Sequence, residues 1–246
     1  MQINSQINLQ SLAASAVGHL DAGRLDAAAD VYRHILSITP GDAHTHYVLG
    51  LVYMEMKQLD PARNSFEQAI VYDSRNSRFF RSLGDVLYMS KHVEAALSAY
   101  HQALRLAPDD ADTLLNLGNA LCTTGDHQQA LACYWRILAK NPNDSKALNN
   151  IGKVCFDHGE VDAAISYYDM AINHQKDYAE AHFNRAAALL SKGDYQNGGR
   201  AYAWRFKRRN AHAVSPHRLQ GRPWNGRPFK GQRLHNLSAP LKREHI

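Results

Sequence analysis

The sequence predicts an all-α fold: a right-handed solenoid of six helix-turn-helix hairpins, followed by an irregular basic tail. Three observations lead to this prediction: a 34-residue period, apolar residues at helical spacing within each period, and turn residues between the helices. Small and aromatic residues carry the period together. They are Gly50, Gly84, Gly118 and Gly152; Ala28, Ala62, Ala96, Ala130 and Ala164; and Tyr32, Phe66, Tyr100, Tyr134 and Tyr168.

A frame that begins at Leu9 divides the chain into six units, after a lead of residues 1–8 and before a tail of residues 213–246. The units are 9–42, 43–76, 77–110, 111–144, 145–178 and 179–212. One hairpin cannot bury its apolar face alone, so the units must stack on one another. We expect the recurring glycine to let the two helices of a hairpin approach closely, and the aromatic residue to fill the wedge between one hairpin and the next.

Two stretches of the fourth unit resemble the tetratricopeptide repeat (TPR) family, whose period is about 34 residues. They are Asn116-Leu117-Gly118-Asn119-Ala120 and Asp126-His127-Gln128-Gln129-Ala130. The resemblance covers residues 9–212, although Ala16 and Ala186 replace the glycine of the first and sixth units. It implies a protein-protein interaction scaffold, in which the first helix of each hairpin lines a concave groove that binds an extended polypeptide or a partner helix.

Composition and sequence motifs argue against several other classes of protein. The chain has 246 residues and three cysteines without a CxxC pair, which argues against a disulfide framework and a zinc site. It has no apolar run of about 18 residues and no basic, apolar leader, so we expect a cytoplasmic protein without a membrane span. Nucleotide-binding, zinc-protease and serine-hydrolase motifs are absent from the sequence. We therefore predict a non-enzyme without cofactor or metal.

Asparagines repeat on three successive first helices, at Asn116, Asn150 and Asn184. A carboxamide carries both a donor and an acceptor, so such a ladder can bind an extended peptide backbone. It resembles the ladder in the TPR region of O-linked N-acetylglucosamine transferase, which holds polypeptide in this way. The alternative is that each amide bonds the neighbouring hairpin.

Other first-helix positions complete the predicted groove. The polar set is Arg81, Asn119, Lys146, Asn149 and Lys153. Arg81, Lys146 and Lys153 would favour acidic side chains of the ligand. The set only partly resembles the carboxylate clamp of TPR chaperone adaptors, because Asp85 and Asn150 depart from that pattern. The apolar set, Tyr47, Leu51, Met54 and Tyr88, predicts a surface for an amphipathic partner helix, or packing between the helices.

The C-terminal tail is basic and contains aromatic residues, with Arg205, Arg208, Arg209, Arg222 and Trp224 as its candidate binding residues. Residues 199–246 carry 12 Lys and Arg and one acidic residue, whereas residues 1–198 carry 16 basic and 22 acidic residues. The tail could bind nucleic acid or an acidic partner. The stretches Tyr202-Ala203-Trp204-Arg205 and Arg222-Pro223-Trp224-Asn225-Gly226 also resemble the junction of bacterial TPR–glycosyltransferase-like proteins, with the catalytic domain absent. This resemblance implies a truncated or stand-alone substrate-recognition part of such a system. A homodimer through the solenoid ends is a further expectation.

Overall fold

The computed structural model describes residues 2–202 and 204, with side chains from residue 9 onward. This part of the chain holds twelve α-helices and no strand. The helices are α1 (Gln2–Asp21), α2 (Leu25–Ile38), α3 (Ala43–Glu55), α4 (Leu59–Tyr72), α5 (Ser77–Met89), α6 (Val93–Leu106), α7 (Ala111–Thr124), α8 (His127–Lys140), α9 (Ser145–Asp157), α10 (Val161–His174), α11 (Ala179–Ser191) and α12 (Tyr195–Ala201). The fold is therefore an all-α solenoid, as predicted, and residues 2–8 of the expected lead belong to α1.

Capped helix starts separate the first five hairpins from one another. A side-chain oxygen of Asp42, Asn76, Asp110 or Asp144 accepts a hydrogen bond from a backbone N–H in the first turn of α3, α5, α7 or α9. Such caps satisfy amides that otherwise have no partner at a helix N-terminus. The turns inside the hairpins instead contain one residue with positive φ. That residue is a glycine at Gly125 and Gly159, but a lysine in two earlier hairpins, at Lys57 (φ 59°) and Lys91 (φ 66°).

The odd-numbered helices line the inner side of the solenoid. Within the described chain, Cα atoms of α3 and α5, of α5 and α7, of α7 and α9 and of α9 and α11 approach within 8 Å, whereas no two even-numbered helices bring their Cα atoms that close. Helices on the inside of a curved stack lie closer together than those outside, so the odd-numbered helices form the concave surface. No helix in the described part is long and apolar enough to cross a bilayer.

The recurring aromatic residue packs inside its own hairpin, which corrects the expectation that it fills the wedge between hairpins. A Cβ atom on Gly118 would lie 2.5 Å from the Tyr134 ring, and one on Gly84 would lie 2.5 Å from the Tyr100 ring. The glycine thus makes room for a ring from the opposite helix of the same hairpin. Tyr100 and Tyr134 are each 1% exposed, so both rings are core residues.

The sixth hairpin achieves the same close approach with the small residue on the other helix. Its first helix carries Ala186, which is fully buried, and its second helix carries Gly198. A Cβ atom on Gly198 would lie 2.8 Å from Cγ of Leu190 and 3.1 Å from the carbonyl oxygen of Ala186. At these two positions the sixth unit therefore has alanine where other units have glycine, and glycine where they have alanine.

Candidate functional site

The inner surface forms a cleft of about 510 Å³ across four odd-numbered helices, which we call the inner cleft. Predicted groove residues from α5, α7 and α9 lie in its wall: Tyr88, Asn119, Lys146, Asn150 and Lys153. Lys146 and Lys153 are exposed, and they lie seven residues apart on one face of α9. Two helical turns separate them by about 10 Å, which is the length of about three residues of an extended ligand.

The inner cleft also contains residues that the sequence analysis did not select. They are Leu115, Cys122, Thr123, Tyr134, Val154, Asp157, Tyr178 and Glu180. Asp157 and Glu180 add two carboxylates, so the cleft carries both signs of charge rather than the basic character that was expected. The repeat could have predicted that Glu180 lines the groove, because Glu180 lies 34 residues after Lys146 and so occupies the same position in the next unit.

The amides of the asparagine ladder bond the preceding hairpin. Asn116 Nδ2 donates to Asp85 Oδ1 at 2.7 Å, and Asn150 Nδ2 donates to Asn119 Oδ1 at 2.8 Å. A tyrosine hydroxyl of the same hairpin reaches each acceptor: Tyr100 donates to Asp85, and Tyr134 donates to Asn119. The donors of Asn116 and Asn150 therefore stabilise hairpin stacking, which was the alternative stated for these residues.

The third amide finds a different acceptor, because a lysine replaces the acceptor residue in the fifth unit. Lys153 stands there, and Asn184 Nδ2 donates instead to Asn149 Oδ1 at 3.0 Å. Asn149 in turn donates to Asn150 Oδ1 at 3.3 Å. Asn149 is 0% exposed, and its amide is buried in the interface between the fifth and sixth hairpins, so its contacts are those of a structural residue.

Arg81 is also committed to a contact between hairpins. Its guanidinium lies 3.0 Å from an Asp110 oxygen and 3.4 Å from an Asp112 oxygen. Asp110 caps α7, so this ion pair ties α5 to the start of the next first helix. The contacts of Arg81 therefore do not support the expectation that it attracts acidic side chains of a ligand. Lys146 and Lys153, in contrast, form no ion pair among the described residues.

The apolar half of the predicted groove divides into packed and exposed residues. Tyr47 packs on Phe79 with ring centroids 4.9 Å apart, and Met54 packs against the core around Phe66. Leu51, in contrast, is 39% exposed. Tyr88 lines the inner cleft, where its hydroxyl lies 2.8 Å from Thr123 Oγ1. Tyr47 and Met54 therefore follow the packing alternative, and Leu51 and Tyr88 remain accessible to a ligand.

Asp85 is the carboxylate at the centre of the contact between the third and fourth hairpins. Burial raises the pKa of Asp85 above its ordinary value, against the opposing hydrogen bonds from Tyr100 and Asn116 and the charge of Arg81. The equivalent position in the next unit is Asn119, which accepts the same pair of hydrogen bonds without a charge. A neutral amide is thus compatible with this geometry.

Replacing Asp85 with asparagine is therefore expected to raise the urea midpoint of unfolding at pH 7. A folded-state pKa above the ordinary 3.8 means that ionisation destabilises the fold as pH rises. The advantage of Asp85→Asn should accordingly shrink as pH falls towards 3.8 and be absent below it. Urea unfolding followed by circular dichroism at several pH values measures this. A lower midpoint at pH 7 would show that attraction to Arg81 outweighs burial.

The remaining candidate residues are those of the basic tail, possible metal ligands and the three cysteines. Arg205, Arg208, Arg209, Arg222 and Trp224 lie outside the described residues. The part of the chain that is described contains no cluster of three His, Cys, Asp or Glu side chains suited to a metal ion. Cys133 is buried, Cys122 and Cys155 are partly buried, and burial raises the pKa of all three thiols.

Comparison with protein families gives two matches within the repeat region. Residues 72–178 match the TPR domain of cytochrome c-type biogenesis protein H. Residues 19–83 match the model described as tetratricopeptide repeat. The comparison with curated proteins returned no match.

Solved structures share the fold. A tetratricopeptide repeat protein from Parabacteroides merdae superposes with a TM-score of 0.72 at 16% identity, over 81% of this chain and 79% of that one. MamA superposes with a TM-score of 0.62 at 25% identity, over 67% of this chain and 96% of that one. YrrB, whose structure is described as a TPR protein with an unusual peptide-binding site, has a TM-score of 0.55 at 19% identity, over 73% of this chain and 92% of that one.

Proposed function

Because the chain is an all-α solenoid of tetratricopeptide repeats, we propose that it is a non-catalytic scaffold that binds an extended polypeptide in the inner cleft. The observation that carries the proposal is the position of Lys146 and Lys153 on the concave face, beside Asn119 and among the residues of one cleft. The peptide-binding site reported for YrrB, a solenoid of the same fold, agrees with this class of ligand.

The cleft favours a peptide that carries charged side chains of both signs. Lys146 and Lys153 would contact carboxylates, and Asp157 would contact a basic side chain. Charge-assisted hydrogen bonds of this kind are about twice as strong as neutral ones. Burial raises the pKa of Tyr178 to about 12, so its hydroxyl keeps its proton and can donate to a peptide carbonyl.

Since the amide donors of Asn116, Asn150 and Asn184 are engaged between hairpins, these asparagines would position the helices rather than bind the ligand backbone. They fix the spacing and rotation of α5, α7, α9 and α11, and so hold the lysines in position. Side chains of the cleft that are exposed make the ligand contacts. This division separates the variants that test binding from those that test stability.

Reversing both lysine charges is expected to weaken peptide binding at least tenfold. A random peptide library displayed on phage supplies ligands for the unmodified chain, and fluorescence anisotropy with a labelled selected peptide measures the affinity. The variant Lys146→Glu with Lys153→Glu replaces two attractive charges by repulsive ones on exposed positions, so thermal stability should hold.

The matched control changes the net charge by the same amount away from the cleft, with Lys57→Glu and Arg75→Glu. Both residues are exposed and lie in the second unit. The control should leave the affinity within about twofold, since exposed charges farther apart than a Debye length are screened. Equal losses in the two variants would reduce the lysine effect to net charge, and no loss in either would refute the proposed site.

A further inference from the structure

A second cleft, of about 690 Å³, lies on the outer surface between α8 and α10, and we call it the outer cleft. Its lining is apolar except for one serine: Trp135, Leu138, Ala139, Pro142, Leu148, Ala163, Ser166, Tyr167 and Met170. Leu138 and Leu148 are buried, whereas Trp135 is 48% exposed and Met170 is 41% exposed. Large apolar side chains lining one open cleft mark a surface that something covers.

The walls of the outer cleft fit aromatic side chains. Trp135 and Tyr167 stand edge to face, with their ring centroids 6.2 Å apart. A further ring beside such a pair gains edge-to-face contacts beyond its area of burial. The thioether of Met170 adds a surface that packs well against aromatic rings.

We propose that the outer cleft is covered by residues 222–229 of the same chain, with Trp224 and Phe229 as the side chains that enter it. This inference is independent of the function proposed for the inner cleft. Residues 205–246 lie outside the described structure.

The described chain ends close enough for the segment to reach. Tyr202 packs on Phe183 and Trp204 stacks on His182, so the chain leaves from the sixth hairpin. The outer cleft lies between the fourth and fifth hairpins. Packed helices are 8–10 Å apart, so the span is on the order of 30 Å, whereas the 19 residues from 205 to 223 extend to about 60 Å.

Charge favours the same placement. Residues 205–246 carry 11 basic residues and one acid, and residues 1–198 carry six more acidic than basic residues. Asp162 and Asp169 directly precede cleft residues on α10, and their side chains stay 79% and 45% exposed although each forms an ion pair. Arg222 and Arg227, which flank Trp224, would therefore meet carboxylates at the rim of the outer cleft.

The test places a photo-crosslinking amino acid at position 229 of the full chain, in place of Phe229. After irradiation, peptide mass spectrometry should find crosslinks to α8 and α10 in protein of monomer mass. Ser166→Arg and Met170→Arg should each reduce this yield at least fivefold, because each places a charge in the outer cleft. Val71→Arg is the control, since Val71 is a 71% exposed apolar residue of another second helix, α4.

Three results would overturn the proposal. The first is crosslinking to the inner cleft or at scattered positions. The second is crosslinking only between two chains, which would assign the outer cleft to a second copy. The third is an unchanged yield in Ser166→Arg; because Ser166 is exposed, that variant keeps its fold even if Met170→Arg does not. Lys146→Glu with Lys153→Glu should leave the crosslink intact, which separates this proposal from the peptide site.

Discussion

Replacing Gly118 with alanine is expected to destabilise the protein by about 1–3 kcal/mol, the usual cost of inserting a methyl group into a filled core. The added Cβ atom would lie 2.5 Å from Cε1 and 2.8 Å from Cζ of Tyr134. Tyr134 cannot retreat easily, because it is 1% exposed and its hydroxyl bonds Asn119. The effect should appear although alanine normally improves a helical glycine by about 1 kcal/mol.

Gly18→Ala is the matched control, because Gly18 is a helical glycine with nothing within 4 Å of its Cβ position. This change should stabilise α1 by about 0.5–1 kcal/mol. Urea unfolding followed by circular dichroism compares the two variants. If Gly118→Ala stabilised the protein as Gly18→Ala does, the close approach of the two helices in the fourth hairpin would be disproved.

Truncating the opposing ring should have the largest effect of any single change considered. Tyr134→Ala removes a buried aromatic side chain and is expected to cost about 3–5 kcal/mol. It also leaves Asn119 without the hydroxyl that donates to it at 2.9 Å. Stacked repeats are stabilised by their neighbours, so a defect in the fourth hairpin should also broaden the unfolding transition of the array.

The double variant shows whether the two effects share one contact. In a Tyr134→Ala background the space above position 118 is empty, so Gly118→Ala should cost nothing or stabilise the helix. The magnitude of the coupling energy should then be at least as large as the Gly118→Ala cost. Additive costs would mean that alanine at position 118 clashes with something other than the ring.

The repeat frame predicted the fold well because periodicity and turn chemistry are local. Asp42, Asn76, Asp110 and Asp144 cap four of the first helices, and a glycine such as Gly125 or Gly159 marks the turn inside a hairpin. The packing of the recurring aromatic residue was predicted wrongly. Its recurrence every 34 residues does not show which neighbouring helix the ring packs against. Only the structure places Tyr134 over Gly118 of its own hairpin.

The candidate site was predicted less completely, for a related reason. The position of a residue in the repeat predicts where along the groove its side chain lies. It does not predict which neighbouring residue hydrogen-bonds or ion-pairs with that side chain. Asn149 and Arg81 lie in suitable columns, yet one is buried and the other pairs with Asp110. Lys146 and Lys153 lie in equally suitable columns and reach the inner cleft. The difference depends on side chains of the adjacent unit.

The inner cleft and the outer cleft therefore divide the surface of the solenoid into two proposed binding faces. The inner cleft, formed by α5, α7, α9 and α11, would receive a peptide partner. The apolar cleft between α8 and α10 would receive the chain's own residues 222–229. The hydrogen bond from Asn150 to Asn119 joins α9 to α7, and Tyr134 of the same hairpin as Asn119 donates to the same acceptor; together they hold α7 and α9 at the spacing on which the inner cleft depends.

The decisive measurement is the amide chemical-shift map of the isotope-labelled protein on addition of a peptide selected from the phage library. Binding in the inner cleft predicts that the largest changes fall on Asn119, Thr123 and Lys153, and that they disappear in Lys146→Glu with Lys153→Glu. Changes confined to Trp135, Tyr167 and Met170, and preserved in that variant, would contradict the proposed peptide site.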